Sequence, residues 1–232
     1  MLSEEQAAAL AAKVAGTGDL LLQAWRIGDT DLEHVQFTSR DGSRDEDPLS
    51  PRTVLDLGCG MGQYLHLYKQ VHPNALCVGV NLYDSQLKYC HSDIATIVAD
   101  IRDPDLKLPV EGRYSQVFCH YTAGYLTYDE LDMLCKKVVG LLAPNGFFSL
   151  WDITARSTAI TDIFDYHLHE TSKVIASLVR AGFNEVGLRL PGDDGSPKAR
   201  MAENFRKVSG QPEIEAFLKY TLPVFYWARK GA

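Results

Sequence analysis

The stretch Val54-Leu55-Asp56-Leu57-Gly58-Cys59-Gly60-Met61-Gly62-Gln63-Tyr64-Leu65 constrains this chain more than any other. A β-branched and aliphatic run ends in a glycine-rich turn, and an amphipathic segment follows. That order reads as strand, tight loop, helix. Three glycines at alternate positions require a sharply bent backbone that lies against something flat or bulky, and a side chain at Gly58 or Gly60 is expected to push a ligand away. The helix that starts near Gly62 aims its N-terminus at the same place. Dinucleotide sites use G-x-G-x-x-G, so that a pyrophosphate sits on the helix end. Here the spacing is G-x-G-x-G, and Asp56 stands two residues before the first glycine. A carboxylate so close repels a pyrophosphate and suits a ligand that carries an ammonium group. The plain alternative is a strand-turn-helix that binds nothing.

The stretch resembles motif I of the class I S-adenosylmethionine-dependent methyltransferases. That resemblance implies an α/β fold of Rossmann-like type, with a seven-stranded, mostly parallel sheet, an antiparallel last strand and helices on both faces. It implies S-adenosylmethionine as cofactor. Gly58, Cys59, Gly60 and Gly62 would make room for its methionine part and ribose, and Asp56 would help to hold its amino-acid end.

The chain has 232 residues, 46% of them hydrophobic, which suits one large α/β domain. The expected divisions are an N-terminal helical lid over 1–37, a cofactor-binding core over 52–190, an insertion or flap over 191–221, and a last strand over 222–229. The formal charge is 23 − 30 = −7. No basic stripe runs along an element, which argues against nucleic acid and anionic membrane as partners. No apolar run approaches the ~20 residues of a membrane span, and no secretory signal is visible in residues 1–25. Cys59, Cys77, Cys90, Cys119 and Cys135 lack C-x-x-C spacing and are odd in number. They read as free thiols in a reducing cytoplasm. The chain is expected to be a cytoplasmic monomer or homodimer.

Ser3-Glu4-Glu5-Gln6 has capping-box form and precedes an Ala/Leu-rich helix over about 4–15. Residues 20–25 read as a second short helix and 38–50 as an exposed loop. After strand one (about 52–57), Tyr64, Leu65, Leu67, Tyr68 and Val71 form an apolar stripe at helical spacing. Strand two, Ala75–Val80, runs into Asn81-Leu82-Tyr83-Asp84-Ser85-Gln86. Most class I methyltransferases carry an acid at the Asn81 position, where it accepts from the ribose hydroxyls. An Asn can accept one hydroxyl and donate to another. The G-V-N-L-x-x-x-Q form resembles the carbon-methylating subgroup of cyclopropane fatty acid synthases, sterol methyltransferases and prenyl diphosphate methyltransferases. In that subgroup a Gln at the Gln86 position contributes to the ribose contact. Asn81, Leu82 and Gln86 are therefore candidate cofactor residues. The alternative is that Asp84 or Ser85 caps a helix and Gln86 faces water.

Strand three, Ile94–Ala99, ends in Asp100-Ile101. In the family an acid here accepts from the adenine amino group and the next backbone N–H meets a ring nitrogen; the alternative is an Asp that starts a turn. Strand four, Tyr114–His120, leads into Tyr121-Thr122-Ala123-Gly124-Tyr125, where the family places its reacting groups. Aromatic faces stabilise a sulfonium or a developing carbocation, and an imidazole takes a proton near neutral pH. His120, Tyr121 and Tyr125 are candidates for catalysis, and His120 also for the cofactor, against the plain reading of a structural His and two wall tyrosines.

A helix is expected over Tyr128–Leu142, and Ala143-Pro144-Asn145-Gly146 matches the family's L-x-P-G-G turn, with Asn145 tolerating left-handed geometry. Strand five, Phe147–Asp152, delivers Trp151 and Asp152 to the ligand-binding edge of the sheet. Asp152 is a candidate for orienting substrate. His167-Leu168-His169-Glu170 offers no third ligand, so no metal is expected. A helix from Glu170 to Ala181, closed by Gly182, enters strand six at about 183–190. Taken with the resemblance, these features imply transfer of a methyl group to a small molecule, in secondary metabolism. C-methylation of an alkene such as an isoprenoid diphosphate is an alternative. A non-catalytic S-adenosylmethionine-binding scaffold is an alternative of another class.

Overall fold

The computed structural model describes residues 52–110, 114–155, 162–163, 166–189 and 221–232. Chain contacts divide the protein into two units, 1–36 with 191–220 and 37–190 with 221–232, and every described residue belongs to the second. The expected lid helices, the 38–50 loop and the 191–221 flap lie outside the described residues.

The elements run β1 (Thr53–Leu57), α1 (Gln63–Val71), β2 (Leu76–Asn81), the one-turn α2 (Asp84–Leu87), β3 (Ile94–Val98) and β4 (Tyr114–His120). A 3₁₀ turn (Ala123–Tyr125) then leads to α3 (Tyr128–Leu141), β5 (Leu142–Ala155), the short pair β6 (Asp162–Ile163) and β7 (Tyr166–His167), α4 (Thr171–Ala181), β8 (Glu185–Arg189) and β9 (Thr221–Arg229). The sheet order is β3-β2-β1-β4-β5-β9-β8. β1 to β5 pair in parallel. β9 lies antiparallel between β5 and β8. The predicted seven-stranded sheet with a reversed last strand is the one observed.

Alternation along β1 builds two cores at once. Leu55 and Leu57 join Val78, Val80, Val117 and Phe148 under Leu131, Leu134, Val138 and Leu178 of α3 and α4. Val54 faces the other way, with Cys77 and Phe118, under Leu65 and Tyr68 of α1. Successive strand side chains point to opposite faces. A strand buried on both faces therefore reads as a continuous apolar run. Each fully buried Leu or Val stabilises by about 1.5–3 kcal/mol relative to exposure. Asp56 is the one charged residue type in β1, and it is buried at 3% exposure.

The helix ends follow local chemistry. Thr127 and Glu130 form a reciprocal capping box at the start of α3. Gly182 closes α4 with φ 100°, where any side chain is strained. Asn145 takes φ 61°, as its place in the turn required. β5 is longer than expected, Leu142–Ala155 in place of Phe147–Asp152. β9 pairs with it continuously from Phe147 to Ala155, and Leu142 already sits beside Tyr114 before a register shift.

Candidate active site

The ends of β1, β2 and β4 bring the predicted residues to one edge of the sheet. Gly58, Gly60 and Gly62 all adopt positive φ, of 84°, 55° and 71°. The reason differs at each. A Cβ on Gly58 would stand 2.2 Å from Thr122 Oγ1, and one on Gly62 would stand 2.7 Å from Cys90 Sγ. At Gly60 the nearest atom is Gln86 Oε1 at 4.0 Å. Gly58 therefore makes room for the β4 loop of the protein itself. Gly60 alone faces open space. Thr122, which sequence reading passed over, also donates to the carbonyls of His120 (3.0 Å) and Gly58 (3.4 Å). That stitches the two loops together.

Asn81 holds the glycine turn in place. Its Oδ1 accepts from the Gly60 N–H (3.3 Å), and its Nδ2 donates to Gln86 Oε1 (2.8 Å) and to the Tyr83 carbonyl (3.2 Å). Among the described residues nothing accepts from the Gln86 amide nitrogen. Leu82 beside it is 44% exposed although apolar, whereas Ile101 is buried in the main core. Asp100 is gripped by Arg102: Nη2 donates to Oδ2 (2.6 Å), and Nε and the Arg102 backbone N–H donate to Oδ1 (both 2.9 Å). This pair holds the carboxyl below the usual carboxylate range. An Asp starting a turn, the alternative reading, is thus part of the structure.

Two buried carboxyls sit at this edge. Burial alone lifts Asp56 to about 7. Desolvation disfavours its charge, and an ammonium ion placed beside it would reverse that. Burial also lifts Asp152 to about 7, opposed by hydrogen bonds from the Tyr166 hydroxyl and from backbone N–H groups. Gly124 N–H donates to its Oδ2 (3.0 Å) and Ile153 N–H to its Oδ1 (2.7 Å). Tyr166, on β7, donates to Oδ1. A Cβ on Gly124 would stand 2.0 Å from the Tyr166 ring, so that glycine is what lets the tyrosine reach Asp152. No sequence signal marked Tyr166.

His120 lies among the rings of Tyr64 (4.2 Å), Phe118 (5.4 Å) and Trp151 (6.2 Å), and its Nε2 meets Ser149 Oγ at 2.8 Å. Burial pushes the imidazole down to about 3. It is neutral at pH 7 and a weak proton acceptor, which counts against the general-base role expected of it. Tyr121 is held at φ 53°, rare for an aromatic residue, by its N–H donating to the Trp151 carbonyl (2.6 Å). Its ring stands 5.6 Å from that of Trp151. Tyr125 is 39% exposed, edge-on to Tyr166 at 4.9 Å. His169 is buried and bonded to the Ala123 carbonyl (3.0 Å). Among the described residues no group of three or more His, Cys, Asp or Glu is placed to hold a metal. No described helix is long and apolar enough to cross a membrane.

A family model described as a methyltransferase domain matches residues 54–146, from β1 to the turn within β5. The match covers 93 of the 232 residues. Phosphoethanolamine N-methyltransferase 1 of Arabidopsis thaliana is 23% identical to it over 135 residues, which are 51% of this chain and 27% of that one. Phosphoethanolamine N-methyltransferase 2 of Haemonchus contortus, solved with phosphomonomethylethanolamine and S-adenosylhomocysteine, superposes with a TM-score of 0.66 at 13% identity, over 82% of this chain and 51% of that chain. Geranyl diphosphate C-methyltransferase of Streptomyces coelicolor superposes with a TM-score of 0.64 at 14% identity, over 79% of this chain and 76% of that chain. These two likenesses are of fold. The chain spans less than half the length of the curated relatives it matches. Among the described residues, the open side of Gly60, the buried carboxyl of Asp56 and the exposed apolar side chain of Leu82 lie by the C-terminal ends of β1 and β2.

Proposed function

We propose that this chain is an S-adenosylmethionine-dependent methyltransferase acting on a small-molecule acceptor. The observation that carries the reading is Asp56. It is a carboxyl buried in an apolar strand with no cation beside it among the described residues, next to a glycine whose missing side chain leaves open space. A buried carboxyl is stabilised when a partner restores its charge, and the amino-acid end of the cofactor carries an ammonium group. In this reading Asp56 anchors that end and the Gly60 backbone lies along the ligand. Gln86 reaches the ribose, with Asn81 holding Gln86 and the turn in register. Leu82 and the Ile101 backbone flank the base. Asp100 contributes a remaining lone pair while Arg102 fixes its orientation.

When bound, the cofactor supplies a methyl group already activated by the sulfonium. The residues after β4 and β5 then have to align the acceptor, and alignment is worth several kcal/mol of barrier. Tyr121, Trp151 and Tyr125 provide aromatic wall, and Asp152 with Tyr166 provides a buried polar tip near neutrality. Asp152, rather than His120, has the proton affinity for a base at pH 7.

Calorimetry with S-adenosylhomocysteine tests the reading. We expect measurable binding by the intact protein and at least tenfold weaker binding by Asp56→Asn. No heat, or equal affinity in the variant, would sink it. A labelled-methyl screen over metabolite fractions then identifies the acceptor. The aromatic wall formed by Tyr121 and Trp151 favours a second reading, C-methylation of an alkene such as an isoprenoid diphosphate, since such faces stabilise a carbocation. That reading requires inhibition of turnover by pyrophosphate and dependence on magnesium, and indifference to both rules it out.

A further inference from the structure

Two thiols from different elements meet at the glycine turn. Cys59 lies inside the turn, and Cys90 lies 31 positions later, in the turn that follows α2. Both sulfurs approach one atom, the Gly60 carbonyl oxygen, at 3.8 Å and 3.9 Å. Two glycines make the meeting possible. A Cβ on Gly79 would stand 2.6 Å from Cys59 Sγ, and one on Gly62 would stand 2.7 Å from Cys90 Sγ. The other three cysteines, Cys77, Cys119 and Cys135, are buried, whereas Cys90 is partly exposed.

We propose that Cys59 and Cys90 are an oxidation site, and that a disulfide between them closes the cofactor turn. The closure rests on the cofactor reading above; the cross-link itself does not. The oxidant class is a peroxide. The Cys90 thiolate attacks one peroxide oxygen, forming a sulfenic acid and releasing hydroxide. The Cys59 thiol then attacks the sulfenic sulfur and water leaves. In total, two thiols and one hydrogen peroxide give one disulfide and two waters. The neighbouring Cys59 thiol holds the Cys90 thiol below its ordinary range, which favours Cys90 as the first nucleophile. A sulfur–sulfur bond is about 2 Å long, well short of any thiol–thiol contact. Forming it draws the turn that follows α2 toward residues 59–60. Gln86, one helical turn before Cys90, and the Gly60 backbone, both assigned to the cofactor, move with the two sulfurs.

The test uses the full chain, reduced or treated with hydrogen peroxide, with peptide mapping by mass spectrometry and S-adenosylhomocysteine titration of each sample. We expect a peptide joining residues 59 and 90 that has lost two hydrogens, at least a tenfold loss of affinity, and recovery of both on adding dithiothreitol. Cys90→Ser and Cys90→Ala should bind as the reduced protein does and keep that affinity through peroxide. Absence of the linked peptide overturns the proposal. So does a linked protein of unchanged affinity, or a Cys90→Ser protein that loses affinity as the unmodified chain does. Failure of the reduced protein to bind at all refutes the cofactor reading, and the closure with it. Success in the reduced sample and failure in the oxidised one refutes only the inference drawn here.

Discussion

At the residue scale, glycines that look equivalent in sequence carry different loads. A methyl group on Gly58 meets Thr122 and imposes φ 84° on an L-residue, whereas one on Gly60 meets nothing nearer than 4.0 Å. Gly58→Ala should therefore lower stability by about 2–4 kcal/mol, combining overpacking with backbone strain. Thermal denaturation of Gly58→Ala alone and with Thr122→Ser measures this, and partial rescue is expected only if the clash contributes. Gly60→Ala should cost about 1–2 kcal/mol of stability from backbone strain alone, and its larger effect should appear as weaker binding of S-adenosylhomocysteine. His120 gives a second prediction. An imidazole pushed to about 3 has no protonation step between pH 5 and 8. The turnover–pH profile of His120→Asn should keep the shape of the parent profile over that range, even if its height falls. An ionisation near 6.5 that vanishes in the variant would restore His120 as a base.

At the element scale, helix ends and strand pairing set the loops that present the site. The capping box of Thr127 and Glu130 fixes where α3 begins, three residues after Tyr125. Thr127→Ala should destabilise by about 1 kcal/mol, within the 0.5–2 kcal/mol usual for an N-cap, as read by urea denaturation, with little change in cofactor affinity. β5 shows what pairing adds. Its apolar run was legible as a strand over Phe147–Asp152, because alternation and the preceding turn mark it. Its extension to Ala155 was not, because that depends on β9, 66 positions further along the chain, continuing its ladder to Thr221. Asp152, which sequence reading placed at a strand end, therefore sits within the strand, in register with Val224, and is buried there.

At the scale of the whole molecule, two carboxyls raised by burial make stability depend on pH. Asp56 and Asp152 stand at about 7 in the folded chain, against 3.8 ordinarily. Between pH 4 and pH 7 the folded state holds protons that the unfolded state has released. Stability from these groups is full below about pH 4 and falls as pH rises toward 7, by at most about 1.4 kcal/mol per pH unit for each group. Asp56→Asn should flatten that fall, and a parent chain whose denaturation midpoint rises over the same range would contradict it. Ligand binding acts in the opposite sense. At one hundred times its dissociation constant, S-adenosylhomocysteine should add about 2.7 kcal/mol, and the ammonium group should draw Asp56 back toward its ionised form. The gain in melting temperature should then grow from pH 5 to pH 8, and a constant gain would argue that Asp56 does not contact the ligand.

The order of the main strands and helices and the glycine turn were written in local sequence, because periodicity, turn chemistry and capping act over a few positions. The same holds for Asp56, Asn81 and Gln86 as residues at one edge of the sheet: they lie at or just after strand ends, and parallel pairing aligns those ends. Only the assembled sheet decided which contacts these groups make. Thr122 fills the space beside Gly58, Arg102 takes hold of Asp100, Tyr166 reaches Asp152 past Gly124, and the sulfurs of Cys59 and Cys90 both approach the Gly60 carbonyl. Desolvation likewise belongs to the packed molecule: it turned His120 into a neutral group and lifted two aspartates toward neutrality. These are pairings across long sequence separations and the low polarity of a closed interior, and neither leaves a mark on the neighbouring residues of the chain.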